Sequence, residues 1–301
     1  MDFTILDRLA QRAVDDQLPA YRISVWIDGE IREKVITPTN DCNDIYSASK
    51  NFITTACGFC IDDGYMDYST TVWDLFHDER ELNPLWKDVT LEMVLSQTIG
   101  ISGMFLDIDT EDAFSWEEED WLDRVLNHPF VYKPGEKFAY SDSNFYLASR
   151  MAAKASGRYA EEILNERLFV PMKMQGWAWA KCPKGHVMGG TGLFIRTRDM
   201  AKLGVLYLNE GVYEGKRILS EEFCYHATHA VSHPHDGSDY GLSFWIPKNH
   251  SNPHGRDVFR GSGMFNQSFW VDRGEGFVAA WHAYDTKGRT NDAFADVLMN
   301  L

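Results

Sequence analysis

The sequence predicts an α+β fold in which an antiparallel sheet flanked by helices carries an inserted all-helical lobe. Three observations predict it: an Asp28-Gly29 turn between two strand-like runs near the start, segments of period-two hydrophobicity near the end, and a long helical middle between them. Strands from both ends of a chain are most simply joined in one sheet, which leaves the middle as a second lobe and a cleft between the two. The expected division is a single domain, residues 1–301, with an α/β lobe of residues 1–46 and 190–301 and a helical lobe of residues 47–189. Neither an internal repeat nor a low-complexity linker interrupts it.

Taken in order, Ile5 to Val14 has the apolar spacing of an amphipathic helix, and Arg22 to Ile36 reads as two strands of a hairpin around Asp28-Gly29. A helix opens at Ser47. Its Phe52, Ile53, Ala56, Cys57, Phe59, Cys60 and Ile61 leave almost no polar stripe, the mark of a helix buried on most sides. The pattern stays mostly helical to about Leu168, clearest at Leu91 to Leu95 and Phe145 to Ala155, with Gly100 and Pro134-Gly135 as punctuation. After Gly189-Gly190-Thr191-Gly192 comes a helix over Thr197 to Leu208, then strands at Tyr240 to Ile246, Phe265 to Val271 and Gly276 to Ala283.

Composition narrows the function classes. With 301 residues, 44% of them hydrophobic, and ten Trp, the chain can bury a large core. A net charge of −16 without a basic cluster opposes nucleic acid and anionic membrane surfaces. The absence of a basic, apolar leader or an eighteen-residue apolar run points to the cytoplasm, and five irregularly spaced cysteines suit reduced thiols. Cys57-Gly58-Phe59-Cys60 has CxxC spacing but lies inside the buried helix, where small core residues explain it without metal or redox chemistry. His226, His229, His233 and His235 around Pro234 read as a surface loop rather than a metal site. No motif asks for a cofactor. His282 reads either as a core histidine or as one facing the cleft. Nine carboxylates between Asp107 and Asp123, with no Lys or Arg among them, form either a solvated face or a cleft edge that draws amine-bearing groups.

Chemistry concentrates in Ser47-Ala48-Ser49-Lys50. Positions i and i+3 share a helix face, so Lys50 can bring its amine beside the Ser47 hydroxyl as a base beside a nucleophile. Unpaired N–H groups at a helix start favour an oxyanion there, and their field together with burial predicts a lowered lysine pKa. Of two Tyr-x-Asp tripeptides, Tyr65-Met66-Asp67 falls at the far end of the serine helix, about 25 Å away at 1.5 Å per residue. Tyr140-Ser141-Asp142 is the one that can approach Ser47. A Gly-x-Ser-x-Gly element, which a Ser-His-Asp hydrolase of the α/β type would need, does not occur.

These motifs, with Asp62-Asp63-Gly64, Leu95-Ser96-Gln97-Thr98-Ile99-Gly100, Gly189-Gly190-Thr191-Gly192-Leu193, Gly261-Ser262-Gly263 and Gln267-Ser268-Phe269-Trp270-Val271-Asp272, cover nearly the whole chain. The chain resembles the serine β-lactamase and penicillin-binding protein superfamily, above all its class C β-lactamase-like, esterase-like branch. The resemblance implies a β-lactamase/transpeptidase-like fold and a serine hydrolase of a small ester or amide. It further implies that Ser47 forms an acyl-enzyme, that Lys50 and Tyr140 share the proton traffic, and that the backbone N–H groups of Ser47 and Met264 form the oxyanion hole. Asp142, Gly261, Ser262 and Gly263 would meet substrate. Where β-lactamases and peptidases of the superfamily open the third motif with Lys or His, this chain has Gly261, which removes a cation for a substrate carboxylate, worth roughly 1.5 to 3 kcal/mol. Arg260 should point to the opposite face of its strand. A neutral or amine-bearing substrate is therefore favoured over a penicillin or a D-alanyl peptide. A silent binding or sensing protein on the same fold is the alternative from another class. Asp142 stands where many members have Asn, either raising the Lys50 pKa or hydrogen-bonded away from it, and Gln97 replaces a frequent His as a structural change.

Overall fold

The computed structural model describes residues 2–101 and 103–301; Met1, at the head of the N-terminal run, and Ser102 lie outside the described residues. Helix α1 (Thr4–Asp15) buries Ile5, Leu6, Leu9, Ala10 and Ala13. Strands β1 (Ala20–Ile27) and β2 (Glu30–Val35) follow, turned by Asp28 and Gly29 at φ 48° and 89°, the left-handed pair that a tight hairpin needs. Strands β3 (Ser232–His235), β4 (Ser238–Tyr240), β5 (Trp245–Pro247), β6 (Val258–Gly263), β7 (Gln267–Asp272) and β8 (Phe277–Ala283) complete an eight-stranded sheet in the order β2-β1-β8-β7-β6-β5-β4-β3. Each neighbouring pair is antiparallel. The sheet therefore joins the first and last parts of the chain.

Between them lie α2 (Ser49–Asp62) and α3 (Asp142–Ser156), which pack together inside the helical region, and α4 (Thr197–Leu208) returns the chain to the sheet. The final helix α5 (Arg289–Met299) packs beside α1. The sheet is covered on both faces. Ile5, Leu9, Trp270, Trp281 and Phe294 belong to the cluster under α1 and α5. On the other face α2, α3 and α4 share one continuous core with Phe244, Phe259 and Phe269 of the sheet side. Helical region and inner sheet face thus have a common interior, which fixes the start of α2 against the sheet.

Two strand boundaries differ from the pattern. Tyr240 to Ile246 is not one strand but β4 and β5 around a turn, with Ser243 at φ 71° and its hydroxyl bonded to Asn51 and Thr54 of α2. Phe265 and Asn266 do not open a strand either. They stand at φ 58° and 69° in a 3-10 turn, so β7 begins at Gln267. Ser243 meets Asn51 and Thr54 of α2, and Phe265 packs on Tyr46, contacts that hydrophobic alternation does not encode.

Candidate active site

Ser47 sits in a 3-10 turn, Tyr46–Ala48, that leads into α2 at Ser49, so the serine precedes the regular helix rather than opening it. Tyr46 has φ 47° and donates its N–H to the Asp44 carboxylate at 2.8 Å, which bends the chain sharply before the serine. One turn on, Lys50 is 1% exposed, and its Nζ donates to Ser47 Oγ at 3.0 Å and to the Gly190 carbonyl at 2.8 Å. Its third donor pairs with the Asp142 carboxylate at the start of α3. Three acceptors match the three N–H bonds of an ammonium group.

That arrangement reverses the pKa expected from burial and the helix field. Burial is the largest influence and lowers the Lys50 pKa, but the Asp142 and Tyr140 charges and hydrogen bonds outweigh it and the pKa is raised. Asp142 is likewise pushed up by burial and drawn back in part by Lys50. The option that Asp142 is hydrogen-bonded away from the lysine does not hold.

Tyr140 lies two residues before α3, with its ring centroid 4.8 Å from Lys50 Nζ and stacked at 6.0 Å on Trp245. The buried Gln97 holds this loop: its Oε1 accepts from the Ser141 N–H at 3.0 Å and from the Asn144 amide at 2.6 Å, and its carbonyl accepts from the Ala139 N–H at 2.8 Å. Tyr65 is three residues beyond α2 and exposed.

The end of β6 closes the other side. A Cβ on Gly263 would come within 2.0 Å of the Ile45 carbonyl and 3.2 Å of the Ser47 nitrogen, so glycine alone lets the strand lie against the serine turn. Met264, the next residue, is 37% exposed, and the Ser262 and Ser268 hydroxyls stand 3.2 Å apart. At Gly261 a Cβ would meet both Asn51 Oδ1 and the Phe269 ring at 2.3 Å. Arg260 lies on the far face, over the Trp270 ring.

Residues 6–300 match the protein family described as Beta-lactamase. The chain belongs to the beta-lactamase family. Members of the beta-lactamase family with this fold are serine hydrolases. The fold is similar to a penicillin-binding protein from Bacillus halodurans at 16% identity, with 97% of this chain and 99% of that one covered and a TM-score of 0.77. A penicillin-binding protein homologue from Pyrococcus abyssi, described as octameric, is 18% identical over 99% of this chain and 77% of its own, with a TM-score of 0.77. EstCE1, described as a hydrolase with promiscuous acyltransferase activity, gives 14% identity, 98% coverage of both chains and a TM-score of 0.77.

Around this candidate site the acidic segment divides. Asp107 and the exposed Asp109 bring oxygens within 4.8 Å of one another and of Asp142, and Asp109 accepts from the Thr191 hydroxyl. Among the described residues this is the one grouping with metal-ligand spacing, but the Lys50 ammonium already holds the cation's place beside Asp142. Asp44 is pushed up to about 7, by burial first and with the Asp109 charge contributing. Further along, Asp120 pairs with Arg80 and Arg150, and Glu118 with Arg124. Composition marked the segment. Thr191 stands inside the Gly189-Gly190-Thr191-Gly192-Leu193 motif and Asn51 follows Lys50, whereas Trp245 carried no sequence signal beyond its place in an expected strand.

The histidines do not converge. His226 is on the short helix Glu221–Ala227, 2.7 Å from Glu92, whereas His233 and His235 lie on edge strand β3, a strand where a loop is expected. His282 is a core residue: it is fully buried on β8, its Nδ1 is 3.1 Å from the Asn43 amide, and burial and Arg22 push its pKa down to about 3. The cysteines of Cys57-Gly58-Phe59-Cys60 are free and buried. No helix among the described residues is long and apolar enough to cross a membrane.

Proposed function

We propose that the protein hydrolyses a small neutral or amine-bearing ester or amide through an acyl-Ser47 intermediate. The observation that carries this reading is the 3.0 Å contact between Ser47 Oγ and a lysine amine that is 1% exposed. Ser47 Oγ bonds to the substrate carbonyl carbon and its proton passes to the Lys50 amine in its unprotonated fraction. Collapse of the tetrahedral intermediate breaks the bond to the leaving group, which takes the proton from Lys50 with Tyr140 alongside. Water then repeats the sequence on the acyl ester and frees Ser47. The neutral amine fits the same contacts, with two N–H bonds to Asp142 and Gly190 and its lone pair toward the serine proton. The backbone N–H groups of Ser47 and Met264 serve the oxyanion.

Substrate class follows from charge. Gly261 offers no cation for a carboxylate, and Asn51 and Phe269 fill the space where one would project. Asp107 and Asp109 add negative charge beside the Lys50–Asp142 pair, which favours an amine on the substrate and opposes a penicillin or a peptide C-terminus. A silent binding protein is the reading favoured by the Lys50–Asp142 pair alone.

Mass spectrometry after exposure to a fluorophosphonate separates the two. A Ser47 adduct absent from Ser47→Ala, with release of p-nitrophenol from an activated ester beyond one equivalent, is the expected result; no adduct means a binder. A chromogenic cephalosporin should be turned over no faster than in buffer.

A further inference from the structure

The sheet carries a cavity of about 470 Å³ bounded by β5, β6, β7 and α5, with Arg260 and Trp270 lining it from the face turned away from Ser47. Strand alternation sets its chemistry. Gly261 faces α2, so Arg260 before it faces the other way, with its guanidinium 5.8 Å from the Trp270 ring of its register partner. The Arg260 Nε and the Trp270 indole N–H are both shut away without a partner, and no ion pair reaches this guanidinium among the described residues. Of the rim carboxylates, Asp296 is engaged by Arg12 at 3.2 Å, while Asp292 acts on Arg260 through its field only. The half-buried Arg260 thus keeps a buried Nε without an acceptor and a guanidinium without a counter-ion, and it borders a space that Trp245 and Trp270 also line.

We propose that this cavity binds a small carboxylate with a flat apolar body, the carboxylate on the Arg260 guanidinium and the body against Trp245 and Trp270. A planar, forked donor suits a carboxylate better than a lone point charge would, and indole faces suit a ring. Trp245 also stacks on Tyr140 of the serine site, whereas Arg260, which holds the carboxylate, lies on the opposite face of the sheet from Ser47 and takes no part in its chemistry.

Isothermal titration of the full chain with benzoate is the test. Saturable one-site binding is expected, weakened by about tenfold or more in Arg260→Gln, as loss of a charge-assisted contact should give. Asp292→Asn, which removes a competing negative charge, should bind benzoate more tightly than the wild type. Arg260→Lys should fall between wild type and Arg260→Gln, and Ser47→Ala should match the wild type. Benzamide, of the same shape but uncharged, should bind no better than benzoate binds Arg260→Gln. The proposal is overturned by absence of saturable benzoate binding, by equal affinity in wild type and Arg260→Gln, by weaker binding in Asp292→Asn or Ser47→Ala, or by inorganic phosphate binding as tightly as benzoate.

Discussion

Replacing Asp142 with asparagine removes the charge that holds a proton on Lys50 while keeping the side chain's size. Burial, the largest influence on that amine, then acts with less opposition, so the Lys50 pKa falls. Activity that needs the unprotonated amine grows as pH rises through this pKa, so the acid limb of kcat/KM should move to lower pH in Asp142→Asn. An acid limb that stays in place would remove Asp142 from the control of Lys50. Lys50→Ala and Tyr140→Phe should each lower kcat/KM by roughly two or more powers of ten, measured with the same activated ester. The i, i+3 spacing was enough to put Ser47 and Lys50 side by side. It could not give the sign of the pKa shift, because the deciding carboxylate arrives from a helix that begins 92 residues later in the chain.

Elements meet at the serine through two glycines of β6, and the closer is Gly263. Gly263→Ala forces its Cβ into the Ile45 carbonyl, so the strand and the serine turn must part. A cost of about 1 to 3 kcal/mol in unfolding free energy is expected by denaturant titration, as overpacking gives. Displacement of the Met264 N–H from the serine by even an ångström should cost about a hundredfold in kcat. A loss of stability with kcat intact would show that β6 does not set the oxyanion geometry. The regular elements were legible: Thr197–Leu208 ends where its apolar period ends, and the Asp28-Gly29 turn sits between its two strands. The bends at Ser243 and Phe265 were not, since Ser243 bonds to Asn51 and Thr54 and Phe265 packs on Tyr46 of the serine turn, all distant in the chain.

At the scale of the whole molecule, stability against acid should depend on two neutral histidines, His282 fully buried and His186 half-buried. His282 is pushed down to about 3 and His186 to about 4, burial being the first cause in both. The unfolded chain binds these protons from the ordinary value of 6.5 downward and the folded chain does not, so their contribution is present above pH 6.5 and is lost as pH falls below it. Asp44, raised to about 7, works in the opposite sense between its ordinary 3.8 and that value. His282→Gln should therefore be less stable than wild type at neutral pH, with the deficit shrinking by about 1.4 kcal/mol per pH unit on acidification below 6.5. Parallel curves of unfolding free energy against pH would refute the assignment.

The crowding around Gly261 also bears on how this scaffold could change its chemistry. Writing a lysine into that position would set its first side-chain carbon into Asn51 and Phe269, two residues that belong to the shared interior of helix and sheet. A laboratory lineage aimed at penicillin cleavage would have to hollow out those neighbours before it introduced the new cation, so the order of mutations, not their number alone, governs whether that route can be walked.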